Sequence, residues 1–85
     1  MKTYRAFTIK YIGMTNTRAS RISIFDNRFK QQKSIHYNYE FNNIADIAQN
    51  YLENIGIPII GVSETPKGYI LFTDNFKTSI KGGVI

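Results

Sequence analysis

One segment of this sequence has a helical hydrophobic period, and the rest does not. Between Asn43 and Gly56, the residues Ile44, Ile47, Ala48, Tyr51, Leu52 and Ile55 recur at three- and four-residue intervals, which gathers them on one face of an α-helix. Asp46, Gln49, Asn50, Glu53 and Asn54 fall opposite. Asn43 suits the N-cap, because its side-chain oxygen accepts from a free first-turn amide. Asp46, three residues later, takes a capping-box-like place. Gly56 supplies the left-handed stop. A lone helix with an apolar face needs a layer to cover, and the flanking sequence supplies strands.

Thr3 to Ile12 reads as a strand, with Arg5, Phe7, Ile9 and Tyr11 on one face and Tyr4, Ala6, Thr8, Lys10 and Ile12 on the other. Gly13 to Ser20 is a loop. In Arg21 to Asp26, Ile22 and Ile24 point one way, and Arg21, Ser23 and Phe25 the other. Asn27 to Gln32 is predicted as a hairpin tip. Lys33 to Tyr39 is predicted as a third strand, with Ile35, Tyr37 and Tyr39 toward the core and Ser34, His36 and Asn38 outside. Ile57 to Glu64 and Tyr69 to Asp74 are two more strands, joined by Thr65-Pro66-Lys67-Gly68. Pro58 lacks a donor amide and places its strand at or near a sheet edge. The expected fold is α+β: a mostly antiparallel five-stranded sheet with one amphipathic helix, in the order β-β-β-α-β-β and in two layers. Residues 1–76 are expected to form one domain and residues 77–85 a mobile tail.

The composition narrows the chemistry. Among 85 residues there is no Cys, which excludes disulfides, thiolate metal sites and thiol catalysis. The sole histidine is His36, so no two-histidine metal site can be built. Gly82-Gly83 precedes no helix and forms no phosphate loop. No enzymatic activity, cofactor or metal is expected. The apolar stretch from Ile57 to Val62 is interrupted by Pro58 and Gly61 and falls far short of the roughly 20 residues of a membrane span. Arg5 and Lys10 interrupt the first residues, so no secretory leader is expected and a cytoplasmic location is.

Charge is unevenly distributed. Up to Tyr39, the bases Lys2, Arg5, Lys10, Arg18, Arg21, Arg28, Lys30 and Lys33 face one acid, Asp26. From Glu40 onward Lys67, Lys77 and Lys81 face Glu40, Asp46, Glu53, Glu64 and Asp74. Such asymmetry suggests a basic surface meeting an anionic partner. Within the basic half, Thr15, Asn16, Thr17, Arg18, Ser20 and Arg21 combine short polar side chains, which bend the backbone, with two arginines three apart. Such arginines can converge on one anion, and a phosphate suits that arrangement. The alternative is that these side chains close their own turns and that Arg21 pairs with an acid such as Asp26 or Glu40.

The stretch Tyr11-Ile12-Gly13-Met14-Thr15-Asn16-Thr17-Arg18-Ala19-Ser20-Arg21-Ile22 resembles a motif of small proteins carried by bacteriophages and other mobile elements. Those proteins more often have Pro at the place of Met14 and Gly at the place of Ala19. The resemblance implies a mobile-element setting and no particular activity.

Aromatic residues lie among the bases, a mixture used by single-stranded nucleic-acid binders. Most of them must build the core of so small a domain. Phe25, opposite Ile22 and Ile24, and Phe29, between Arg28 and Lys30 at the tip, are expected to be exposed contact residues. Arg18, Arg21, Arg28, Lys30 and Lys33 are expected to form one basic surface. Three readings follow: a nucleic-acid-binding accessory protein, with single strands favoured, whose surface combines the Thr15–Arg21 loop, the Arg28–Lys33 tip and outward residues of the first three strands; an inhibitor or adaptor that docks on an acidic host protein, such as an anti-defence factor; or a subunit with a purely structural role. A homodimer through an exposed edge strand is a further expectation.

Overall fold

Along β1 (Arg5–Ile12), Arg5, Phe7 and Ile9 are fully enclosed while Lys10 is exposed. In β2 (Arg21–Asp26), Ile22, Ile24 and Asp26 are enclosed. The structure, a computed structural model, describes residues 3–17 and 19–81. In it β3 (Gln31–His36), β4 (Gly61–Thr65) and β5 (Gly68–Thr73) complete a five-stranded sheet in the order β3-β2-β1-β5-β4, every pair antiparallel. The helix α1 (Ile44–Asn54) covers one face of β5, β1 and β2. The α+β, two-layer expectation holds.

The helix forms where its caps dictate. Asn43 is extended at φ −150°, and its Oδ1 accepts from the Asp46 amide at 3.0 Å. At the other end Gly56 takes φ +96°. The Ile57 amide reaches back to the Leu52 carbonyl at 2.9 Å and the Gly56 amide to that of Glu53 at 3.2 Å. This is the Schellman arrangement, sealed by contact between two buried residues, Leu52 and Ile57. Ala45, Ile47, Ala48 and Leu52 press onto Phe7, Ile9, Ile22, Ile24 and Leu71. Strands at opposite sheet edges lie about 19 Å apart at roughly 4.8 Å per strand. The helix, about 16 Å long at 1.5 Å per residue, lies in the connection from β3 to β4.

Three boundaries differ from expectation. First, β3 begins at Gln31 and ends at His36 rather than running from Lys33 to Tyr39. The hairpin is tighter because Asp26 Oδ1 accepts the amides of Arg28 (2.9 Å) and Phe29 (3.3 Å), and Lys30 closes the turn at φ +56°. The strand stops early because Asn38 Oδ1 captures the Glu40 amide at 2.9 Å, an Asx turn. Tyr39 is therefore 80% exposed instead of in the core. Second, β4 starts at Gly61, so Pro58 precedes the edge strand rather than lying in it. Third, residues 77–81 are docked, whereas a loose tail was expected. Ile80 is fully buried, its carbonyl accepts from the Tyr51 hydroxyl at 2.6 Å, and Ser79 bonds Gln31 at 3.0 Å. Burial pushes the Tyr51 hydroxyl pKa above its ordinary value. Residues 82–85 lie outside the described part.

Arg5, counted from sequence among the free bases, is the polar centre of the core. Its Nε and Nη2 donate to Asp26 Oδ2 at 3.1 and 2.5 Å. Its Nη1 donates to the carbonyls of Asn75 (3.1 Å) and Thr78 (2.7 Å). Phe7 and Phe29 hold the guanidinium with ring centroids 4.9 and 5.0 Å away. One residue thereby ties together β1, the β2–β3 turn and the segment after β5.

Candidate nucleic-acid interface

The alternation that buries Phe7, Ile9, Ile22 and Ile24 turns their neighbours to the other side of the sheet. That side has no covering layer among the described residues. Through the strand register it presents Ala6, Thr8, Lys10 and Ile12 from β1. Arg21, Ser23 and Phe25 follow from β2, and Gln32, Ser34 and His36 from β3. Across β5, Phe72 sits beside Ala6 and Ile70 beside Thr8, with Gly61 and Ser63 next to them on β4. None of these outward strand residues is a carboxylate. Asp26 is enclosed with Arg5. Glu64 pairs with Tyr69, whose side of the sheet is the helix side. Asp46 and Glu53 lie on the helix.

Side chains on this face are tied to one another rather than to a second layer. Asn27 Nδ2 donates to Thr8 Oγ1 at 2.9 Å, and Gln32 Nε2 to Ser23 Oγ at 3.1 Å. Three shallow hollows open here. One of about 470 Å³ lies between Lys10, Ser23, Phe25, Asn27 and Gln32. Another, of about 410 Å³, is bounded by Thr17, Ala19, Arg21, Ser34 and His36. The third, of about 340 Å³, is formed by Tyr4, Ile60, Gly61 and Phe72. Half-buried rings on an open sheet face whose strand residues include no carboxylate offer stacking surfaces, and Lys10 and Arg21 offer charge for an anionic chain.

The expected binding residues are only partly brought together. Arg21 and Phe25 share the open face. Thr15, Asn16 and Thr17 are exposed in the β1–β2 loop beside it. Arg18 lies outside the described residues. Ser20 is instead a structural residue: it is buried, its hydroxyl lies 2.9 Å from the Tyr11 hydroxyl, and its carbonyl accepts the Tyr37 amide. Phe29 is half-buried against Arg5 rather than an exposed contact, because the Asp26 carboxylate folds the tip inward. Arg28 and Lys30 are exposed at that tip, and Arg28 stands 5.7 Å from the Phe76 ring. Lys33 pairs with the inward residue Ile24 and belongs to the helix side. The single basic surface expected from Arg21, Arg28, Lys30 and Lys33 is thus divided. Asp26 partners Arg5, not Arg21.

Phe72 was not among the expected binding residues, and Lys10 and His36 entered only as outward residues of the first three strands. The strand phase already set Lys10 and His36 opposite the core. Their common face with Phe72 depends on β5 pairing with β1, and a contact between segments so distant in sequence leaves no local signal. Among the described residues, no helix is long and apolar enough to cross a membrane, and no group of three or more His, Asp or Glu side chains is placed to hold a metal ion. Comparison with protein-family models, curated proteins and solved structures finds no match.

Proposed function

We propose that the protein is a non-enzymatic nucleic-acid-binding accessory protein whose helix-free sheet face receives a single strand. The observation that carries this is an uncovered face without a strand carboxylate, bearing Phe25 and Phe72, with Lys10 and Arg21 farther along the same face toward the β1–β2 loop. Unpaired bases stack on such rings while cations follow the phosphates. The mobile-element resemblance of residues 11–22 supports an accessory role in that setting. Fluorescence anisotropy with labelled oligonucleotides over a salt series tests the reading. Lys10→Gln should flatten the slope of log K against log salt by about 0.7, one phosphate contact on a single strand. Phe25→Ala should weaken single-strand binding by about 1–3 kcal/mol and duplex binding less. Wild-type protein that binds no oligonucleotide at low salt would remove this reading, and the face would then be the docking surface for an acidic protein.

The same proposal includes self-association through β4. This strand forms one sheet edge, carries no Lys, and has Val62 59% exposed and Ile60 just before it 52% exposed. Unpaired edge amides and carbonyls beside apolar side chains favour strand pairing between copies. Light scattering across a dilution series should show a concentration-dependent dimer that Val62→Lys abolishes. A strict monomer at millimolar concentration counts against it.

A further inference from the structure

We propose that Arg21, with Thr17, Ser34 and His36, forms a seat for a phosphoryl group of a nucleic-acid strand. The strand as source rests on the function proposed above; the seat rests on its own geometry.

Arg21 opens β2, flanked by Ile12 on β1 and His36 on β3. Its Nη1 is buried and has no hydrogen-bond partner among the described residues. This sets it apart from Arg5, whose Nε, Nη1 and Nη2 all have acceptors. Buried polar groups in folded proteins are nearly always satisfied, and one that is not calls for a ligand or an ordered water. A guanidinium carries only donors, so the missing partner is an acceptor, and because Nη1 is itself enclosed the Arg21 side chain turns toward the hollow to meet one.

The hollow beside Arg21, about 410 Å³ and bounded by Thr17, Ala19, Ser34 and His36, is large enough for more than one water. It offers two hydroxyls and an imidazole, all able to donate. None of these lining residues is a carboxylate, so an entering anion meets no like charge. A tetrahedral oxyanion matches this set, because its several oxygens accept from the arginine fork and from separate hydroxyls at once. The hollow shares the open face with Lys10 and Phe25. Arg21 and Phe25 stand about 13 Å apart along β2 at roughly 3.3 Å per residue. A strand stacked at Phe25 therefore reaches the seat with a phosphate farther along its backbone.

The test has two arms. In the first, the Arg21 Nε–Hε resonance is followed by NMR while inorganic phosphate replaces chloride at constant ionic strength. A saturable shift of this resonance and of the backbone amides around Ser34, the amide shifts being lost in Arg21→Gln, is the expected result. A shift no larger than that given by chloride means that water alone fills the hollow, and this overturns the seat. Ser34→Ala, on an exposed edge strand, should weaken phosphate binding several-fold and covers the case in which Arg21→Gln fails to fold. In the second arm, Arg21→Gln should flatten the oligonucleotide salt slope by about 0.7, and Arg21→Lys should restore the slope but not the full affinity. Wild-type oligonucleotide binding with an unchanged slope in Arg21→Gln overturns the seat while the sheet-face function stands. Saturable phosphate binding without any oligonucleotide binding supports the seat and removes the strand as its source.

Discussion

Arg5 shows how one residue changes meaning between a sequence and a fold. As the first strand's cation it reads as a surface charge. Enclosed with Asp26, it is a buried ion pair whose partners are nearly complete: a carboxylate, two carbonyls and two rings. The pair need not add net stability over a well-packed apolar substitute, but removing one partner strands the other charge. Asp26→Asn should therefore cost about 3–5 kcal/mol, close to the whole stability of a domain near the low end of about 5–15 kcal/mol. Pairing Asp26→Asn with Arg5→Met should recover much of that loss. Urea denaturation of the three proteins checks both outcomes, and a loss below about 1 kcal/mol for Asp26→Asn would show that water reaches the pair. Gly68 has no room for a side chain. It sits at φ +156°, and a Cβ there would lie 2.1 Å from the Ile9 carbonyl oxygen, closing the approach of β5 to β1.

At the scale of elements, the helix was legible because its signals are local. A three- to four-residue period, an Asn cap and a Gly stop each act within a few residues of themselves. Its burial makes it the element on which the core depends. Ile47 is 4% exposed against the sheet. Ile47→Ala should cost about 2–5 kcal/mol, read as a lower urea midpoint with an unchanged slope. A loss below about 1 kcal/mol would mean the helix is peripheral to folding. Strand ends were less legible. The ends of β3 are set by the carboxylate of Asp26 and the amide of Asn38 capturing backbone groups. Such side-chain competition with the ladder does not appear in hydrophobic alternation, which is why Tyr39 reads as core and stands exposed.

For the whole molecule, the sequence by itself determined the composition of the layers. Strand alternation fixed which side chains of each strand travel together, and the helical stretch supplied the single covering element; these are short-range properties of backbone geometry. Phe25 and Arg21 were placed opposite the core for that reason, and the structure keeps them there. The tertiary structure alone decided which strands are neighbours. Setting β5 against β1 brings Phe72 onto the same open face as Lys10 and Phe25. It also decided which charges remain available. Arg5 is removed from the basic half by Asp26, and Phe29 is drawn from the tip onto Arg5. Residues 77–81 read as a tail because they have no periodicity, yet Ile80 completes the core beneath Tyr51. Each of these outcomes depends on contacts between residues far apart in the chain. Burial and pairing energies of that kind belong to the assembled structure, and no local pattern of residues encodes them.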